Sequence, residues 1–116
     1  MKIEELRSIA LKLPAVTEDI KWENHLCFNI GGKMFLVTSP DEVPCSASFK
    51  IPEEDFDELT NREGFGPQAY MARYHWVHVD DLNRLPAKEW KHYIQQSYQL
   101  VASKLSKKLQ KELGLL

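Results

Sequence analysis

Two runs of β-type residues, Leu26-Cys27-Phe28-Asn29-Ile30 and Lys33-Met34-Phe35-Leu36-Val37, are joined by Gly31-Gly32 alone. Glycine enters the positive-φ conformations of tight turns without steric cost, so this junction predicts a hairpin and commits the sheet that grows from it to antiparallel pairing. After a loop marked by Pro40, Asp41 and Pro44, the residues Cys45, Ala47, Phe49 and Ile51 alternate with Ser46, Ser48 and Lys50. They read as a third strand on a short connection. Beyond the turn residues Gly64-Phe65-Gly66-Pro67, residues 69–71 are expected to pair with Trp76–Val79 as two final strands.

The period differs elsewhere. Over residues 2–13, Ile3, Leu6, Ala10 and Leu13 recur at helical spacing, Glu4 and Glu5 complement the dipole of the first turn, and Pro14 stops the run. Pro52 suits a first helical turn, Glu53, Glu54 and Asp55 favour the N-terminus behind it, and Phe56 and Leu59 supply an apolar side, so a short helix is expected to about residue 61. From Leu85-Pro86 a long pattern places Trp90, Ile94, Ser97, Val101, Leu105 and Leu109 on one stripe, with a bend near Ser106. The order α-β3-α-β2-α with short connections predicts an α+β two-layer sandwich: an antiparallel sheet of about five strands with helices on one face.

One domain over residues 1–116 accommodates these elements, since domains commonly run to about 100–150 residues. No run of about 18 apolar residues occurs, and the start Met-Lys-Ile-Glu-Glu-Leu is acidic and amphipathic where a signal peptide is basic and then apolar. A cytoplasmic protein with no membrane partner is expected. Cys27 and Cys45 lie outside any CxxC unit and read as free thiols.

The pattern Leu13-Pro14-Ala15-Val16-Thr17-Glu18-Asp19, then Trp22, Phe28 and Gly31-Gly32-Lys33-Met34-Phe35, resembles the MmcQ/YjbR family of small bacterial proteins. So do Pro67 with Tyr70, His75-Trp76, Leu85-Pro86, Ser97-Tyr98-Gln99-Leu100-Val101 and Lys104-Leu105 in the later half. The resemblance spans nearly the whole chain in order and implies a two-layer α+β fold similar to secretion chaperones. It also implies a DNA-binding role through a double-wing surface, and it carries no shared catalytic motif. Ala15 departs from the family's usual glycine, and Ser106 from its frequent proline.

Strand alternation sorts the candidate contact residues by face. With Leu26, Phe28 and Ile30 turned to the core, Cys27 and Asn29 face away from it, as do Ser46, Ser48 and Lys50 on the third strand. Within Tyr74-His75-Trp76-Val77-His78-Val79-Asp80-Asp81, Val77 and Val79 are the buried pair, Trp76 and His78 share the open face, and His75 stands at the strand's entrance. Such a face can stack a base and meet phosphate, although alternation alone also yields a polar face, and Trp76 can instead pack beneath the loop that precedes its strand.

Charge sharpens the choice of partner. The net charge of -2 and pI near 6.1 disfavour a general polyanion binder, so any nucleic-acid contact must be local. Lys33 beside the Gly-Gly turn and Arg73 near the second hairpin would supply wing contacts to phosphate. A secondary basic patch, Lys104, Lys107, Lys108 and Lys111, faces only Glu112 in its own segment, while Glu53, Glu54, Asp55, Asp57, Glu58 and Glu63 stand against Arg62. Lysines near a helix C-terminus also serve the dipole and solubility.

Catalytic and metal chemistry have little to build on. His25, Cys27, Cys45, His75 and His78 show no ligand spacing, no GxSxG elbow or phosphate loop occurs, and Asp80-Asp81 reads as the exit turn of a strand. Ser97 falls mid-helix, where a hydroxyl packs against a neighbouring element. The expectation is a non-enzymatic module without cofactor or metal. It would bind DNA weakly, and with little sequence preference, through Lys33, Lys50, Arg73, His75, Trp76 and His78. The alternative is a chaperone-like protein-interaction module, monomeric or homodimeric; a small-ligand pocket near Trp76 and His78 is a third reading.

Overall fold

A computed structural model describes residues 1–116. Helix α1 (Ile3–Leu11) is followed by four strands in sequence: β1 (Thr17–Lys21), β2 (His25–Ile30), β3 (Lys33–Ser39) and β4 (Ser46–Lys50). Helix α2 (Glu53–Thr60) then leads to β5 (Phe65–Pro67) and, after a 3₁₀ turn at Ala72–Tyr74, to β6 (Trp76–Val79). Helices α3 (Ala87–Ala102) and α4 (Lys107–Glu112) close the chain.

The strands form one antiparallel sheet in the order β1-β2-β3-β4-β6-β5. The two-layer α+β architecture therefore matches expectation, whereas the sheet has six strands and not five. The unexpected strand is β1, whose Thr-Glu-Asp-Ile-Lys sequence contains one apolar residue; it pairs along a sheet edge, where little of a strand needs burial. The strand expected at residues 69–71 lies instead at Phe65–Pro67. Three residues ending in proline fit an edge that uses only one side of the ladder.

The helices cover one face. Leu6 and Ala10 of α1, Trp90, Ile94, Tyr98 and Ala102 of α3, and Leu59 of α2 meet Phe28, Ile30, Leu36, Ala47, Phe49, Val77 and Val79 of the sheet in one buried cluster. Trp90 is fully buried, donates its indole N–H to the Leu82 carbonyl at 2.7 Å and meets Phe49 edge-on at 5.7 Å. The bend expected in the last helix is a complete break, where Ser106 caps α4 by accepting the Leu109 N–H at 3.1 Å. Ala15 holds a left-handed φ of 61°, a conformation that glycine enters at less cost. No helix is long and apolar enough to cross a membrane.

Ser97 joins the two layers. The pairing of β3 with β4 ends at Leu36 and Phe49, and the next backbone groups are bridged by this helical hydroxyl: it accepts the Lys50 N–H at 2.9 Å and donates to the Phe35 carbonyl at 2.6 Å. Ser97→Ala leaves both groups unpaired in a fully buried place and is expected to lower stability by about 2 kcal/mol, read as a lower urea midpoint at unchanged m-value.

Candidate nucleic-acid interface

The sheet face away from the helices carries the residues that alternation assigned to it. Across the six strands, Asp19, Cys27, Val37, Ser48, His78 and Gly66 form one transverse row. Lys50 pairs with Trp76 in the next row. This face is nevertheless largely covered: Cys27, Asn29, Ser46 and Ser48 are buried, and Trp76 is only 5% exposed. Over Ser48 and Trp76 the cover is the segment from Gln68 to Tyr74, whereas Ser46 donates to Glu42 at 2.8 Å and Asn29 to Asp19 at 2.9 Å. The Gln68 N–H donates to the Trp76 carbonyl at 3.0 Å, and Ser48 donates its hydroxyl to the Gln68 side-chain oxygen. Trp76 thus cannot offer a free face for stacking, which corrects its expected role.

His78 and His75 are both half-buried and held by neighbours. The Nδ1 of His78 lies 3.1 Å from the Ser48 hydroxyl; since that hydroxyl gives its proton to Gln68, the imidazole N–H is the donor to Ser48. His75 takes a left-handed φ of 63° at the end of the 3₁₀ turn and packs edge-on against Phe56 of α2 at 5.5 Å. Neither histidine lines the cationic cleft described next.

Three lysines do converge. Lys33 opens β3, Lys50 closes β4 and Lys104 follows the end of α3, and together they rim a cleft of about 560 Å³ floored by Met34, Met71, Trp76 and Leu105. The cause is the packing of the Gly-Gly turn. At Gly31, with φ of 58°, a Cβ would stand 2.7 Å from a Leu105 methyl and 3.2 Å from one of Leu109, so the turn docks against the junction of α3 and α4. A side chain there would have to displace the Leu105 and Leu109 methyls and would be strained by the positive φ. The turn is therefore not a free wing tip; it is one wall of a concave site.

Tyr74 forms the opposite wall, and Arg73 extends the positive region with its guanidinium 4.8 Å from the Tyr74 ring centroid. Lys50 donates to the Tyr74 carbonyl at 2.6 Å. None of these cations has an acidic partner, because the molecule's three ion pairs are Arg7–Glu18, Lys21–Asp19 and Arg84–Asp80. Of the secondary basic patch only Lys104 reaches the cleft; Lys107, Lys108 and Lys111 stand exposed on α4.

Burial, and then repulsion by Lys104, lower the Lys50 pKa. A lysine whose charged form is disfavoured in the folded state binds its proton more weakly there than in the unfolded chain. Its contribution to stability therefore rises with pH from the lowered folded value up to the ordinary 10.5. Lys50→Met removes this titration, so the wild type is expected to gain on the variant in urea midpoint as pH rises through that alkaline window. A difference between the two midpoints that stays constant across that window contradicts this account of the site.

Alternation could place Lys50 and Trp76 on one face, but it had no signal for Lys104, which arrives only through tertiary packing, nor for the cover that buries Trp76. No curated protein matches the chain. The crystal structure of a Deinococcus radiodurans protein with a DUF419 domain superposes with a TM-score of 0.88 at 28% identity, covering 99% of this chain and 89% of that one. A crystal structure of a protein from Pseudomonas syringae gives a TM-score of 0.71 at 25% identity, covering 86% of this chain and 98% of that one. The family model YjbR matches residues 11–100, from the end of α1 through most of α3; the chain belongs to the YjbR family.

Proposed function

We propose that the chain is a non-enzymatic nucleic-acid-binding module that holds the phosphates of a flexible strand in the Lys33, Lys50 and Lys104 cleft, with Arg73 as a further contact. The observation that carries this reading is the convergence of unpaired lysines from three separate elements on one concavity in a chain of net charge -2. Like charges brought together at the cost of mutual repulsion form a place where an anion is favoured, and phosphate contacts of this type are tolerant of sequence. A recessed cleft also favours a single strand, which can bend into it, over a stiff duplex.

Fluorescence anisotropy with a labelled single strand of about a dozen nucleotides and with its duplex tests this. At about 50 mM salt we expect a single-strand Kd in the micromolar range, as for other non-specific binders, and weaker duplex binding. No binding of either form at that salt overturns the reading; tighter duplex binding overturns the single-strand preference.

A further inference from the structure

A second cavity, of about 500 Å³, lies on the covered sheet face; Trp22 and Tyr70 line it, and Val37, Ser48, Gln68 and His25 supply further walls and floor. The volume falls in the usual range of small-ligand sites, about 300–1,000 Å³. No acidic side chain lines it.

Its two large aromatic residues are held in an unusual way. Trp22 is 62% exposed and Tyr70 fully exposed, and both occupy left-handed backbone conformations, with φ of 50° and 65°. Non-glycine residues enter that region at a steric cost, and aromatic residues in water lose the benefit of burial. Tyr70 accepts both penalties on the covering segment, while Trp22, with Glu23 at a φ of 71°, turns the β1–β2 hairpin, so the two rings reach one cavity from separate loops. Between them the chemistry is that of a reader of planar polar rings. The Gln68 amide nitrogen has no partner within the chain, and His25 meets Ser39 through Nδ1 at 3.0 Å and makes no hydrogen bond at Nε2. An amide donor beside an aromatic wall can meet the edge of a base while its face is stacked.

Met71 lines both this cavity and the lysine cleft, so the two are adjoining parts of one surface. We infer that Trp22 and Tyr70 form the seat for one unpaired base of the strand whose phosphates lie on Lys33, Lys50 and Lys104. This deepens the proposed function and rests on it: the cleft supplies charge and the seat supplies the requirement for a base. Trp76, buried, takes no part in stacking.

The test compares an intact single strand with strands of the same length in which one or several consecutive positions are abasic, using wild type, Trp22→Ala and Tyr70→Ala. Both replaced side chains are exposed, so the fold is retained, which thermal melting would verify. Stacking of one base supports a loss of about tenfold in affinity. Wild type should lose that factor on the multiply abasic strand. Each variant should lose it on the intact strand and little more on the abasic one, with an unchanged slope of affinity against salt. If wild type binds intact and abasic strands equally while the salt slope persists, the seat is wrong and the lysine cleft stands. Base dependence without salt dependence would keep the seat and overturn the cleft. Variants that bind the intact strand as wild type does overturn the assignment of Trp22 and Tyr70.

Discussion

Trp90→Ala is expected to lower the folding free energy by about 4 kcal/mol, the upper part of the range for deleting a buried aromatic ring. The indole is fully buried among α3 and the sheet, meets Phe49 edge-on, and alone satisfies the Leu82 carbonyl. Removing it leaves a cavity beneath the sheet centre and an unpaired carbonyl in a residue 2% exposed. Against a total of about 5–15 kcal/mol this is enough to leave a substantial unfolded population. Urea unfolding followed by far-ultraviolet circular dichroism would read it. Trp90→Phe keeps most of the ring and should cost less, chiefly through the orphaned Leu82 carbonyl.

The second large effect is electrostatic. The double charge reversal Lys33→Glu with Lys104→Glu is expected to weaken single-strand binding by more than about 100-fold at low salt, because two of three converging cations become repulsive to phosphate. Folding stability should hold, since both side chains are exposed and the variant relieves the repulsion on Lys50. The matched control is Lys88→Glu with Lys91→Glu, exposed positions on α3 outside the cleft that change the net charge equally. Retained binding in that control separates a local site from a general response to charge.

Much of the architecture was legible because apolar periodicity and turn residues act locally. Gly31-Gly32 marked the β2–β3 turn, the acids after Pro52 marked the start of α2, and Ser97 packs against a neighbouring element as its mid-helix position implied. What escaped was decided by contacts distant in sequence. β1 is polar because an edge strand needs one side of hydrogen bonds and little burial, so alternation could not reveal it. Trp76 has the parity of the open face, yet parity says nothing about the segment from Gln68 to Tyr74 that covers it. Gly31, one of the two glycines that announced a turn, also allows close approach to Leu105 and Leu109, at the junction beside Lys104. Trp22 and Tyr70 were visible only as members of a family pattern; their exposure and left-handed backbone are facts of the fold.

The central claim is that clustered lysines form a phosphate cleft, and the salt dependence of binding tests it most directly. Anisotropy titrations of a labelled single strand at several salt concentrations should give a line of log affinity against log salt with slope of about -2 to -3, for three or four phosphates at about -0.7 each. Lys33→Gln should reduce that slope by roughly one phosphate's share. A slope near zero, or no binding in low salt, would contradict the account.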